Sequence, residues 1–205
     1  MDFKQHFERS WQVMLGNFAP ILVNTLVMFV VSVVSLGIMA PVVSAGYMQS
    51  LLLALRENKK PDVKDLFAHM DLFFPLLGFA ALFVFLVVIG MIMLVLPGIA
   101  VILAGTFFLV YMLPLMTDQR LGLIEAVKES SRMALDDPIA EHIAVVAVLI
   151  ILDSIGSSIV FGTLLTHPYA CLFILSVYEA KRRRQITGSK SAPPPPPKND
   201  AGAEM

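Results

Sequence analysis

The chain has 205 residues, 57% of them hydrophobic and only 15% charged, with a formal net charge of −1. Soluble proteins average about 25% charged residues, and a near-neutral chain offers no general attraction for nucleic acid, so a soluble domain and a nucleic-acid partner are both disfavoured. The single cysteine, Cys171, leaves no intramolecular disulfide and no cysteine-based metal site within one chain.

Residues 2–15 open with an amphipathic pattern. Phe3, Phe7, Trp11 and Met14 recur at helical spacing, and Lys4, Gln5, Glu8, Arg9 and Gln12 take the other face. A helix of this kind is expected to lie in the headgroup plane. Between Arg9 and Arg56 there are then 46 residues without Asp, Glu, Lys or Arg. As helix they would extend roughly 69 Å, about two crossings of a ~30 Å hydrocarbon core. Gly37 and Pro41 interrupt the run and predict a turn between spans 18–36 and 42–55. The second of these is short. The apolar run before Val43, Ser44 and Ala45 is too long for a cleaved signal peptide, so a retained first span is expected.

A second amphipathic segment, 62–71, precedes another uncharged stretch of 46 residues between Asp71 and Asp118. Leu96, Pro97 and Gly98 break it into spans 72–95 and 99–116. A third amphipathic segment, 118–136, leads into spans 139–155 and 159–178, with the turn expected near Gly156 and a further break at Pro168. Alternating ten-residue segments, the mark of a transmembrane barrel, are absent. The predicted fold is all-α: a polytopic membrane protein of about six helices in three hairpins, each preceded by a cytoplasmic amphipathic helix. A four-span arrangement with re-entrant elements is the alternative, since 42–55 and 159–178 are the weakest spans.

All 15 Lys and Arg residues fall at the N-terminus, in two loops or in the tail, and none falls in the three predicted turns. By the positive-inside rule both termini are cytoplasmic. The tail, 181–205, joins Lys181, Arg182, Arg183 and Arg184 to a proline run at 193–197. That composition buries no core and predicts a disordered basic, proline-rich segment. The expected lipid-surface contacts are Trp11 and these four basic residues, which attract anionic lipid.

The residues Trp11 and Asn17, Pro41 and Gly46, Asp65-Leu66-Phe67 and Leu96-Pro97-Gly98-Ile99 resemble one bacterial group, as do Gly122, Glu125, Ala126, Ser130 and a Pro-broken last span ending at Tyr178. The group is the YciC-type multi-helix membrane proteins, related to the membrane domain attached to some glycerophosphodiester phosphodiesterases. The resemblance covers about residues 1–180. It implies a bacterial inner-membrane location; with no phosphodiesterase domain present, it carries over no catalytic activity.

Apart from Glu141 at the expected cytoplasmic boundary of its span, Asp153 is the only Asp, Glu, Lys or Arg inside a predicted span. With Asn24 it forms the candidate intramembrane polar site, because acids in spans are costly and default to functional roles. Its bland alternative is a hydrated residue at the outer edge, and that of Asn24 is a hydrogen bond between helices. Gly37, Pro41, Gly46, Pro97, Gly98, Gly156 and Pro168 are read as turn and packing residues. No catalytic residue, cofactor site or metal site is expected, because no nucleophile arrangement, phosphate loop or paired ligand spacing occurs. The function expected is that of a non-enzymatic scaffold or envelope-homeostasis component acting through lipids, other membrane proteins or copies of itself. The alternative is a small transporter or lipid-handling permease, which a cavity lined by Asp153, Asn24 and Tyr111 would favour.

Overall fold

The computed structural model describes residues 3–135, 138–158 and 162–191. Among these every regular element is helical: α1 (Phe3–Gly16), α2 (Phe18–Val34), α3 (Ala40–Glu57), two 3-10 turns (Val63–Phe67 and Met70–Leu72), α4 (Phe73–Met93), α5 (Val95–Leu109), α6 (Met112–Asp118), α7 (Leu123–Leu135), α8 (Ile139–Ser157) and α9 (Thr163–Ser191). Three segments are long and apolar enough to cross a membrane: Val63–Met93, Val95–Asp118 and Ile139–Ser157. The pair α1 and α2 would make a fourth, though it is bent by 89°. These lengths are compatible with a membrane location.

The bend between α1 and α2 has a local cause. Pro20 has no N–H to give the carbonyl four residues back, so the helix cannot run unbroken through Gly16. Between α2 and α3, Leu36 and Gly37 both take left-handed backbone angles, with φ of 52° and 84°. The Gly37 N–H reaches Ser32 and the Leu36 N–H reaches Val33, the paired bonds of a Schellman stop.

The other two turns depart from expectation. Leu94 alone, extended at φ −164°, separates α4 from α5. Pro97 and Gly98 belong to the start of α5, not to the turn. Pro97 is tolerated in that first turn, where its missing donor has no helical acceptor. Gly98 serves close approach instead: a Cβ there would sit 2.8 Å from the Met91 backbone nitrogen, and one on Gly90 2.8 Å from that of Gly98. Gly156 likewise lies inside α8, where a Cβ would overlap the Thr166 hydroxyl. Pro168 falls inside α9. The expected start of the last span at 159–161 lies outside the described residues.

Helix α2 packs along α3, α4 along α5, and α8 along α9. In the first and third pairs the second helix is the inner one. α3 buries eleven residues, from Val42 to Leu55, and α9 buries Leu172, Phe173, Leu175 and Tyr178 completely. This explains why 42–55 and 159–178 read weakly: helices wrapped by protein need no unbroken apolar surface. By contrast α4 buries only Leu76 and Gly90, and α5 only Gly98. Phe74, Phe85, Ile92 and Leu96 project outward from them.

The amphipathic segments close a ring around the inner helices. Val63–Phe67 docks on α3, α7 docks on α6, and α1 returns from the start of the chain to dock on α9. Val63–Phe67 and α1 thus rest on the inner helices α3 and α9, and α7 rests on α6, the continuation of α5. The segment at 62–71 is not the interfacial α-helix expected. It is two 3-10 turns capped by Asp62, with Leu66 wholly buried. On α1 the most buried residues are His6, Ser10 and Met14, while Trp11 is half exposed at the rim, edge-on to Tyr169.

Candidate functional site

Helices α3 and α6 end in a charge cluster that they share with the middle of α9. Arg56 lies in the last turn of α3, Asp118 ends α6, and Tyr178, Glu179 and Arg182 follow one another on α9. The Arg56 guanidinium donates through Nη1 and Nη2 to the two oxygens of Asp118, the latter at 2.9 Å, and through Nε to Glu179 Oε1 at 2.7 Å. Its Nη2 also reaches Glu179. Arg182 donates to Asp118, the Tyr178 hydroxyl donates to Asp118 Oδ2 at 3.0 Å, and the Gln119 amide donates to that hydroxyl at 3.1 Å. The two carboxylates are 7% and 8% exposed. Planar guanidinium and carboxylate forks of this kind combine charge with fixed orientation.

Burial by itself would raise the Asp118 carboxyl. The Arg56 bonds and charge, then the Arg182 charge and the Tyr178 hydroxyl, outweigh it and hold Asp118 below its ordinary range. Arg56 is raised in turn, first by its bond to Asp118. A carboxylate held ionised by two arginines is a poor general base, so the arrangement acts as a clasp between the ends of α3 and α6 and the middle of α9. Because the folded pKa of Asp118 lies below its unfolded value, the clasp contributes fully above the ordinary value of about 4 and is lost as pH falls beneath it. We expect the thermal midpoint in detergent to hold steady down to about pH 5 and to fall below pH 4. A charge-neutral Asp118→Asn variant should lose that Asp118-linked part of the fall.

Neighbouring cations are also engaged. Lys181, expected at the lipid surface, is buried: its ammonium donates to the Met133 carbonyl at 2.7 Å and lies over the Tyr111 ring. Arg182 is committed to Asp118, and Arg184 stands 3.7 Å from Glu141. The tail expected to be disordered from Lys181 is helical through Ser191; the proline run at 193–197 lies outside the described residues. Arg9 on α1 donates to the Leu55 carbonyl at 3.1 Å, satisfying one of the open acceptors at the end of α3.

The candidate polar residues of the spans do not converge. Asp153 is exposed on α8. Asn24 is buried and donates to the Asp62 carbonyl at 3.1 Å, joining α2 to the capped 3-10 turn. Tyr111 is buried against His142 and Tyr178. The buried imidazoles are bonded to the protein: His6 to Ser176 at 2.7 Å, His142 to the Phe107 carbonyl at 2.7 Å, and His167 beside Tyr47 and Cys171. Among the described residues no group of three or more His, Cys, Asp or Glu can hold a metal ion.

Sequence reasoning took Arg56 for a topology marker and passed over Asp118 and Glu179. The signal that points to them is an acid set directly after an apolar run, at Thr117-Asp118 and Tyr178-Glu179, opposite a loop that is otherwise basic. Comparison with protein-family models, with curated proteins and with solved structures gives no match.

Proposed function

We propose that this chain is a non-enzymatic integral membrane protein of six crossings in a bacterial inner membrane, with both termini cytoplasmic, serving as a scaffold for lipids and other membrane proteins. The resemblance to the YciC-type proteins points the same way. The observation that carries the reading is the contrast between two surfaces. Helices α4 and α5 present bare apolar flanks, whereas Arg9, Arg56, Asp118, Glu179 and Arg182 gather at the ends of α3 and α6. A contiguous apolar surface of the kind that α4 and α5 present, from Leu82 to Leu103, favours hydrocarbon over water.

Labelling with a membrane-impermeant maleimide tests this in a Cys171→Ala background. We expect Leu94→Cys, in the turn between α4 and α5, to react in intact cells. Lys60→Cys, in the loop after α3, should react only after permeabilisation. Reaction of both from one side, or recovery of the protein in a detergent-free high-speed supernatant, would overturn the reading.

One observation favours lipid handling as a second reading. An apolar groove of about 400 Å3 runs between the inner helices and the outward pair, lined by Met48, Phe83, Ile102, Gly105, Leu149 and Ile174. Its walls suit an acyl chain and no polar solute. Reconstituted protein that speeds lipid exchange between leaflets would establish this reading over the scaffold.

A further inference from the structure

The geometry points to a phosphate-binding pocket between α1 and α9, formed by Arg9 and Arg183 with Gln5, His6 and Ser176, whose occupant is the phosphate of an anionic lipid headgroup or free phosphate. The pocket has a volume of about 160 Å3 and is also lined by Ala180. That is several times the ~30 Å3 share of a liquid water, enough for a tetrahedral oxyanion.

Charge is the first argument. Among the described residues of the cluster, four guanidiniums, Arg9, Arg56, Arg182 and Arg183, surround two carboxylates, Asp118 and Glu179, an excess of two positive charges. The carboxylates are already taken at short range by Arg56 and Arg182. Arg183 stands only at 4.0 Å from Glu179 and is 71% exposed, and Arg9 donates to the neutral Leu55 carbonyl. The surplus is thus focused on the one pocket that Arg9 and Arg183 share. Burial, then the facing Arg183 charge, lowers the Arg9 guanidinium, with Glu179 opposing. An anion between the two relieves that repulsion.

Chemistry is the second. Two guanidinium forks match the several oxygens of a phosphate better than a halide or a single carboxylate. The wall beside the two forks is polar: it carries the Gln5 amide and the Ser176 hydroxyl, the latter bonded to the His6 imidazole at 2.7 Å. Position favours a lipid source, since α1 exposes Trp11 and Leu15 and the start of α2 exposes Phe18, and an aromatic rim marks the headgroup level. The lipid source rests on the membrane reading above; the phosphate site itself does not.

The test uses the full chain in neutral detergent at fixed ionic strength. Its thermal midpoint is followed against inorganic phosphate, against micelles doped with phosphatidylglycerol, and against micelles doped with phosphatidylcholine. We expect phosphatidylglycerol and phosphate each to raise the midpoint saturably, with phosphatidylcholine well below phosphatidylglycerol. Arg183→Gln, a change at an exposed position, should raise the half-saturating concentration of both about tenfold, as loss of one charge-assisted bond requires. Arg9→Lys, which keeps the charge and loses the fork, should weaken both in the same sense, and the exposed control Lys128→Gln should leave both unchanged. A rise with phosphate, and none with phosphatidylglycerol beyond phosphatidylcholine, would uphold the site and identify free phosphate as the occupant. No saturable rise with either, or a rise that both arginine variants retain in full, would overturn the proposal. A failed membrane reading would show instead in the maleimide pattern, with the phosphate arm intact.

Discussion

Gly46→Val should prevent the protein from accumulating in folded form. Gly46 lies in the middle of α3, where the 3-10 turn Val63–Phe67 crosses it. A Cβ at Gly46 would stand 2.5 Å from the Asp65 carbonyl oxygen and closer still to that of Leu66. Both obstacles are backbone, so neither can rotate away as a flexible side-chain tip would. The turn is also fixed from other directions: Ser50 donates to Asp65 at 2.9 Å, Asn24 holds the Asp62 carbonyl, and Leu66 is wholly buried. Overpacking commonly costs about 1–3 kcal/mol, and valine at this contact should cost at least about 3 kcal/mol, with even Gly46→Ala clearly destabilising. Gly78→Ala on α4 is the matched comparison, because a Cβ there meets nothing within 4 Å. There the helix-propensity gain of up to about 1 kcal/mol stands alone. Thermal unfolding in detergent and steady-state protein level separate the two. If Gly46→Val unfolds with the parent, the crossing is not as tight as described.

The second large effect belongs to Arg56. Removing it by Arg56→Ala leaves Asp118 with Arg182 and Tyr178, and Glu179 with the distant Arg183, both at burial that water does not relieve. Breaking one member out of a buried ionic group costs about 3–5 kcal/mol, because a charge is left uncompensated. Arg56→Lys should fall between parent and alanine, since one ammonium cannot serve two carboxylates in a planar fork. Adding Asp118→Ala and Glu179→Ala to Arg56→Ala should restore part of the loss, because the desolvated charges go with their partner. Recovery in that cycle distinguishes a clasp from three independent residues. Strict additivity of the three losses would count against coupling.

Helix positions were legible because a charge-free run of 46 residues constrains its solvent more tightly than any motif. Regular elements at Phe3–Gly16, Phe73–Met93 and Ile139–Ser157 lie close to segments read from periodicity and hydropathy. The turns were less legible. Pro97 and Gly98 look alike whether they make a turn or let two helices approach, and only the partner across the gap, Gly90 and Met91, decides it. The 62–71 segment misled for another reason. Nine or ten residues are too few to separate a 3.6-residue period from a 3-10 turn, and Asp62 with Asp65 caps the shorter form. The charge cluster was the least legible part. A basic residue at a membrane edge serves as a sidedness signal whether or not it is paired. Lys181 and Arg182 are indistinguishable in the sequence from Arg183, yet the first two point inward and the third does not.

The closure of α1 onto α9 sets an order of events during synthesis. The Tyr169 hydroxyl meets the Phe7 carbonyl across 162 residues of chain. At about 5–20 residues per second, α1 leaves the ribosome roughly 8–30 s before the helix it will rest on exists. For that interval the face of α1 that α9 will cover has only α2 and α3 to rest against, and under the proposed membrane location the headgroup layer would shelter it. The first helix made is thus the last to be seated, and a nascent chain arrested before α9 should present α1 to proteases that the finished molecule resists.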